Sequence, residues 1–413
     1  MAVDEVRPGY KRSEVGVIPE NWDIRPLSEL FELKNGVNAD IHDYGRGTPF
    51  ANVLEVITHP NLYVEQIPGR VHLPHDLTKR FVVQRGDVLF NRTSETETEI
   101  GLASVYLDEA LIVFGGFVIR GRPKDDSFVP EMSAHCLRVP SVREQIIARG
   151  QGAIRSNIGQ ADLATVLVPV PSKPEQERIA ESVADLSSMV SNIEALLEKK
   201  RDLKQAAMLE LLTPKEHWRE SRLDQLGIFL KGSGVPRVAA LTGNLPCVRY
   251  GEIYTNHHFW INTFQSHISE TVAETALPLK TGDLLFTGSG ETREEIGKCI
   301  AFLGNHRAYA GGDIVVLRPA SGDSLFLSYL LGSHQLVRQK AALGQGDAVV
   351  HIGAAALATL KFSLPPVDEQ SEIVSTLTDI DAEITALEAR LTKYRDIQQG
   401  MMQQLLTGAT RLI

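Results

Sequence analysis

Residues 175–213, EQERIAESVADLSSMVSNIEALLEKKRDLKQAAMLELLT, recur 194 positions later as EQSEIVSTLTDIDAEITALEARLTKYRDIQQGMMQQLLT. A long helical sequence present twice has to be given two equivalent places in the fold, and internal repetition of this kind constrains architecture before any local signal does. Aligned without a gap, Val170–Thr213 and Leu364–Thr407 agree at 16 of 44 positions, among them Pro171/Pro365, Glu175/Glu369, Gln176/Gln370, Arg201/Arg395 and Leu211/Leu405. The likeness extends upstream. GDVLFNRTSETETEIG from Gly86 matches GDLLFTGSGETREEIG from Gly282, gap-free at offset 196 as far as Arg122-Pro123 and Arg318-Pro319, with the glycine pairs Gly115-Gly116 and Gly311-Gly312 inside the match. GQGAIRSNIGQADLAT from Gly150 matches GQGDAVVHIGAAALAT from Gly344, and Trp22 and Leu27 match Trp218 and Leu223. The chain is therefore two copies of one unit, each a globular part followed by a long helix. Between Asn35 and Arg80 the copies share little: the scaffold was kept and that region drifted.

Within each long segment the apolar residues fall at alternating steps of four and three. In the first copy they are Ile179, Val183, Leu186, Val190, Ile193 and Leu197; in the second, Ile373, Leu377, Ile380, Ile384, Leu387 and Leu391. A spacing of this kind sustained over several heptads is a coiled-coil seam. Two seams of equal length predict that the helices pack on each other. Connectivity sets their direction: the first helix delivers the chain to the second globular part, and a second helix that starts there and lies along the first must run back. The pair is expected to be antiparallel, about 55 Å long for some 37 residues at a rise of 1.5 Å, with a pseudo-two-fold relation between the copies. The globular parts are strand-rich and mixed. GDVLF, LIVFGGFVIRGRP and DIVVLRP are short β-branched runs bounded by Gly and Pro, whereas PEMSAHCLRVPSVREQIIARG and LFLSYLLGSHQLVRQKAALG carry helical spacing and end on Gly.

The predicted fold class is thus α+β, with two tandem α/β domains separated by two long helices forming an antiparallel coiled coil. The expected divisions are an N-terminal segment at 1–20, a first domain at 21–170, a helix at 171–213, a second domain at 214–364 and a C-terminal helix at 365–413.

Composition limits the function classes. The 413 residues carry a net charge of −10, which argues against coating nucleic acid through a diffuse basic surface and leaves much phosphate neutralisation to a partner. Cys136, Cys247 and Cys299 show neither disulfide-framework nor zinc-ribbon spacing. The first twenty residues contain no apolar signal core, and ALIVFGGFVI from Ala110 is too short to span a bilayer. A cytoplasmic protein with no membrane partner is expected.

The PxxxEQ…I pattern opening each long helix (Pro171, Glu175, Gln176, Ile179; Pro365, Glu369, Gln370, Ile373) and the LLT that closes it, together with the GD(V/L)LF strands and the IPENW of Ile18–Trp22, resemble the specificity (S) subunit of type I restriction-modification systems. The resemblance covers essentially the whole chain and rests on the duplicated order of the motifs. It implies that each globular part is a target-recognition domain reading one half of a bipartite, asymmetric site in double-stranded DNA. It also implies that the helices set the spacer and dock two modification (methyltransferase) subunits, and that restriction (motor-nuclease) subunits join through that core. The chain itself would be no enzyme but the non-catalytic recognition subunit of an adenine methyltransferase and endonuclease complex. It would hold no cofactor or metal, with S-adenosylmethionine, ATP and Mg bound by partner subunits. Two heads of diverged sequence suit two different half-sites, where one repeated head would read a palindrome.

The residues support a non-catalytic reading. GETREEIGKC departs from a phosphate-binding loop in its glycine spacing and in the Cys after its Lys. The Asn/Asp-Pro-Pro-aromatic motif of adenine methyltransferases and a dinucleotide-binding glycine fingerprint are both absent from the sequence. His257-His258, taken as strand neighbours, would point to opposite sides and make poor shared ligands. The carboxylate-rich SETETEIG reads as a solvated loop. Candidate DNA contacts are donor-rich: Asn91, Arg92, Thr93 and Ser94 after the GDVLF strand; Ser289, Thr292 and Arg293 after its counterpart; and Lys79, Arg80, Arg155, Asn157, Arg249, Tyr250 and His257 elsewhere. The alternatives are a coiled-coil adaptor that binds protein without DNA readout and a self-contained methyltransferase or nuclease.

Overall fold

The computed structural model describes residues 6–152, 155–261 and 263–412. The first five residues of the expected N-terminal segment and two within the GQGAIRSN stretch lie outside the described residues. The chain divides into two compact units, Met1–Ile193 with Arg390–Ile413, and Glu194–Ala389. The long helices are Lys173–Leu211 and Val367–Leu406, of 39 and 40 residues. Each unit is a head plus one segment of each helix, rather than a head followed by its own helix.

In the first unit, Phe31–Asn35, Val118–Pro123, Val88–Asn91, Ala103–Tyr106 and Asn61–Leu62 form a five-stranded sheet in that spatial order. Beside it lies a four-stranded sheet ordered Arg70–Val71, Tyr44–Ala51, Ile112–Phe114 and Val82–Val83. In the second unit a four-stranded sheet runs Gly227–Lys231, Ile314–Pro319, Leu284–Thr287 and Cys299–Ala301, with a smaller one of Ser266–Ile268, Leu245–Val248, Tyr309–Ala310 and Leu277–Pro278. The register repeats between copies: Ile119 faces Phe90 as Val315 faces Phe286. The drifted region is not a free loop. In both heads it supplies a strand that pairs in parallel with the one before the paired glycines, Phe50 against Val113 and Cys247 against Tyr309.

The glycines that face the first of each pair are required by close approach. A Cβ on Gly36 would lie 2.0 Å from the carbonyl oxygen of Gly115, and one on Gly232 would lie 2.0 Å from that of Gly311. Each stretch with helical spacing forms two helices: Pro130–Leu137 and Pro140–Arg149 in the first head, Ser324–Leu331 and His334–Leu343 in the second. The break falls at Val139 and at Ser333, extended residues that start a new helix. The proline after Val139 restricts its conformation to that region.

Inside each unit the two helix segments run antiparallel. In the first, Glu175 pairs with Arg411 and Ser187 with Gln398, so the partner's number falls as the residue number rises. In the second, Arg201 pairs with Glu388 and Lys204 with Asp381. Residues of the long helices join the cores of the heads. Ile179, Val183, Leu405 and Leu406 pack with the buried strands and helices of the first head. Ile373, Leu377 and Leu212 do so in the second. Burying each such side chain contributes about 1.5–3 kcal/mol.

The EQ of each helix start welds helix to head. The Gln176 side-chain amide accepts from the Val129 amide and donates to the Ser127 and Pro171 carbonyls, and Gln370 accepts from the Asp323 amide and donates to the Pro365 carbonyl. Glu175 accepts from the Trp22 indole at 2.9 Å and Glu369 from the Trp218 indole at 3.2 Å. Hydrogen bonds from Lys215, His217 and Trp218, with desolvation opposing, hold the Glu369 carboxyl down at about 2 from an ordinary 4.5. A depressed carboxylate stabilises the fold above its unfolded value and loses that contribution as pH falls through the folded one. Glu369→Gln is therefore expected to flatten the decline of the melting midpoint between about pH 4.5 and 2, measured by thermal denaturation across that range.

Candidate nucleic-acid interface

The segment after the central strand of each head forms a two-stranded ribbon with a distant stretch of chain. In the first head Thr93–Ser94 pairs with Ser156–Asn157, and in the second Ser289–Gly290 pairs with Val350–His351. The backbone anchoring is the same in both. The Ile158 amide donates to the Arg92 carbonyl at 3.0 Å, and the Ile352 amide to the Gly288 carbonyl at 2.9 Å. Asn157 exchanges two backbone bonds with Gln151 at 2.8 and 2.9 Å, and His351 exchanges two with Gln345 at 2.7 and 2.9 Å. Ile158 and Ile352 are buried at 1% and 4% exposure, so alternation along the strand turns Asn157 and His351 outward, and both are exposed.

What differs is the side-chain chemistry on this shared frame. Thr93 Oγ1 donates to Asn157 Oδ1 at 2.7 Å, and Asn157 Nδ2 donates to the Arg155 carbonyl at 3.0 Å. At the matched register, Ser289 Oγ lies 2.9 Å from His351 Nδ1. An arginine bridges the two loops in each head, from opposite sides: Arg155 pairs with Glu95 at 3.1 Å, and Arg293 donates to the Gly344 carbonyl at 2.9 Å and the Gly346 carbonyl at 3.2 Å. Beside the first ribbon a cleft of about 330 Å³ is lined by Thr93, Ser94, Glu95, Glu99, Phe117 and Arg155, with Phe117 55% exposed at its rim.

Comparison with known proteins places this duplicated frame. Residues 215–394 match the family model described as the type I restriction modification DNA specificity domain. A putative type I restriction enzyme MjaX specificity subunit from Methanocaldococcus jannaschii is 22% identical, over 98% of this chain and 97% of its own length. Over nearly its whole length the chain is similar to type I restriction enzyme specificity subunits. The type I restriction enzyme StySPI specificity subunit from Salmonella potsdam is 23% identical over 96% of this chain and 90% of its own. The fold matches the crystal structure of a type I restriction-modification S subunit from M. genitalium with a TM-score of 0.55 at 15% identity, covering 93% of this chain and 96% of that one.

The remaining expected contacts fall into distinct places. Asn91 is fully buried; its Nδ2 donates to the Glu99 carbonyl and its Oδ1 accepts from the Thr93 amide, which shapes the loop. Ser94 is 6% exposed, donating to Glu99 and accepting from the Thr96 amide. Arg92 is half-buried and donates to the Gly116 carbonyl. Thr292 is exposed and donates to Glu295.

Lys79 and Arg80 end the short helix His75–Arg80, away from the ribbon pairing. Arg80 lies over the Phe81 ring, and its carbonyl accepts from Lys34 Nζ at 2.9 Å. Burial, then Arg120 and Arg80, lower the Lys34 pKa. Buried Asp87 neutralises Arg122 at 2.7 Å and lies 3.8 Å from Arg120, so this side of the first head concentrates positive charge. The second head keeps the Asp283–Arg318 pair at 2.7 Å but has Val316 where Arg120 stands.

Arg249 and Tyr250 open the short helix Tyr250–Thr255. His257 and His258 follow it in a loop, not in a strand as the sequence suggested, because the helix ends at Asn256 and the chain turns there. His257 is 1% exposed with neither ring nitrogen hydrogen-bonded, and burial, then Lys298, push its pKa down to about 4. His351 is the residue the sequence reading passed over, although the repeat alignment already set it opposite Asn157. Among the described residues no group of three His, Cys, Asp or Glu side chains is placed to hold a metal ion, and no helix is long and apolar enough to cross a membrane.

Proposed function

We propose that this specificity subunit reads a bipartite, asymmetric target in double-stranded DNA, one half-site per head, with 21–170 and 214–364 as the target-recognition domains. The helical pair sets the tolerated spacer and docks two methyltransferase subunits, and motor-nuclease subunits join the assembly they form. The chain supplies recognition; methyl transfer and cleavage, with S-adenosylmethionine, ATP and Mg, belong to the partners. The observation that carries this reading is the pair of ribbons: one backbone frame, anchored by the same hydrogen bonds, presents a hydroxyl–amide pair in one head and a hydroxyl–imidazole pair in the other. A protein-only adaptor has no use for two matched frames whose outward polar side chains differ. Exposed Arg155, Asn157, Thr292, Arg293, Lys79, Arg80 and Tyr250, with half-buried Thr93 and Arg249, form the proposed contact set, with Arg and Lys serving phosphates and the amide and hydroxyl groups facing base edges. Buried Asn91, Ser94, Ser289 and His257 support the loops that carry it.

The spacer role is tested by deleting one heptad from each long helix in the full chain and selecting DNA with the assembled complex. The expected result is a changed spacer between unchanged half-sites. A change in half-site sequence at constant spacer contradicts the proposal.

A further inference from the structure

The two ribbons differ in the hydrogen-bonding groups left over after their internal bonds are counted, and that remainder specifies which base edge each can take. In the first head Asn157 Oδ1 already accepts from Thr93, and Nδ2 already donates to the Arg155 carbonyl. An amide has two N–H donors and two acceptor lone pairs, so one of each remains on an exposed side chain. In the second head His351 Nδ1 faces the Ser289 hydroxyl at 2.9 Å. We take that hydroxyl as the donor to Nδ1, which puts the ring proton on Nε2 and makes the exposed edge a single donor.

In the major groove adenine shows an acceptor next to a donor, N7 and N6, which an amide matches with two bonds. Guanine shows two acceptors, N7 and O6, and thymine shows O4, either of which takes a lone donor. We propose that Asn157 and His351 are register-matched specificity residues, Asn157 selecting adenine at one position of the first half-site and His351 selecting a base with an acceptor edge, guanine or thymine, at the corresponding position of the second. Thr93 and Ser289 are positioning residues, holding the amide and the imidazole in place through their hydroxyls. This inference rests on the reading of the heads as DNA-recognition domains and adds the chemistry of one base pair in each half-site.

The frame supports a one-residue exchange. Ile158 and Ile352 anchor the strand from the buried side, and the backbone bonds of Asn157 and His351 agree within 0.1 Å. His351→Asn therefore presents an amide from the position where the first head has one, with Ser289 in place of Thr93 as the hydroxyl partner.

The test is selection of duplex DNA from a random pool by the full chain assembled with its methyltransferase subunits, for the parent, His351→Asn and Asn157→His. The parent is expected to select two unlike half-sites. His351→Asn is expected to move one position of the second half-site to adenine by about tenfold or more, the discrimination of a bidentate contact, and to leave the first unchanged. Asn157→His is expected to move one position of the first half-site from adenine to guanine or thymine. Melting profiles of the variants report whether the frame is intact, and Ser289→Ala is expected to weaken selection at the His351 position alone. Parent motifs unchanged in both exchanges overturn the inference while leaving the DNA-recognition reading intact. Loss of a whole half-site in a variant that melts like the parent also overturns it, because a reader of one position leaves the others selected. A parent complex that selects no motif overturns the underlying reading as well.

Discussion

Leu377→Asp is expected to lower the stability of the second unit by about 3–5 kcal/mol, combining the loss of a buried leucine with an unpaired buried charge. Leu377 is fully buried in the cluster that joins the second long helix to the head, among Leu212, Leu336, Leu357 and Ile373. A carboxylate there finds neither water nor a cation in that apolar cluster, so the fold either desolvates it or opens the seam. The matched control is Leu203→Asp on the exposed face of the first helix, where the side chain is 50% exposed and the expected change is within about 0.5 kcal/mol. Thermal unfolding followed by helical circular dichroism distinguishes them: a large fall in midpoint for Leu377→Asp alone is predicted, and equal behaviour of the two variants would mean that the heptad seam does not hold the unit together.

Asp381→Leu is the second large effect. Lys204 and Asp381 occupy seam positions, with side chains 14% and 13% exposed, and Asp381 also accepts from the Tyr329 hydroxyl at 2.6 Å. The Lys204 ammonium lies 4.4 Å from the centre of the Phe259 ring. Removing Asp381 leaves a nearly buried ammonium and a phenol without their acceptor, which costs about 3–5 kcal/mol. Replacing the whole group, as in Lys204→Met with Asp381→Leu and Tyr329→Phe, is expected to recover most of that loss, because a buried polar triad and an apolar one of similar volume differ little. Denaturant unfolding of the single and triple variants measures the difference; a single variant as stable as the parent would show that the pair contributes nothing. The same seam positions in the first unit hold Ser187 and Gln398, bonded at 2.8 Å. The duplication thus kept a polar layer and changed its chemistry.

Much of this architecture was legible in the residues because it rests on periodicity and repetition. The steps of four and three from Ile179 and from Ile373 give the seam, and the seam positions are the ones found buried or half-buried along both helices. The GDVLF and GDLLF strands and their shared register follow from β-branched runs bounded by glycine. What was not legible came from long-range pairing. Nothing local in RTS or RSN says that Thr93 and Asn157 share a ribbon, since the bond spans 64 residues. The burial of Asn91 and Ser94 depends on a loop closing over them, and composition alone does not distinguish an exposed donor from one already satisfied by Glu99. The strands inside the drifted 35–80 region were hidden for a different reason: Arg70–Val71 pairs antiparallel with Tyr44–Ala51, which itself pairs in parallel with Ile112–Phe114, a partner far along the chain. The sharing of each helix between two units was likewise invisible, because a copy boundary drawn in sequence follows the chain and a compact unit follows contacts.

The central claim, that two unlike heads give one chain a split and asymmetric DNA target, is tested most directly by a base-resolution map of adenine methylation on DNA treated with the chain and its methyltransferase subunits. The account predicts two different short sequences separated by a fixed, unread spacer, modified only when both are present. A palindromic motif, a single contiguous motif, or methylation indifferent to sequence would contradict it.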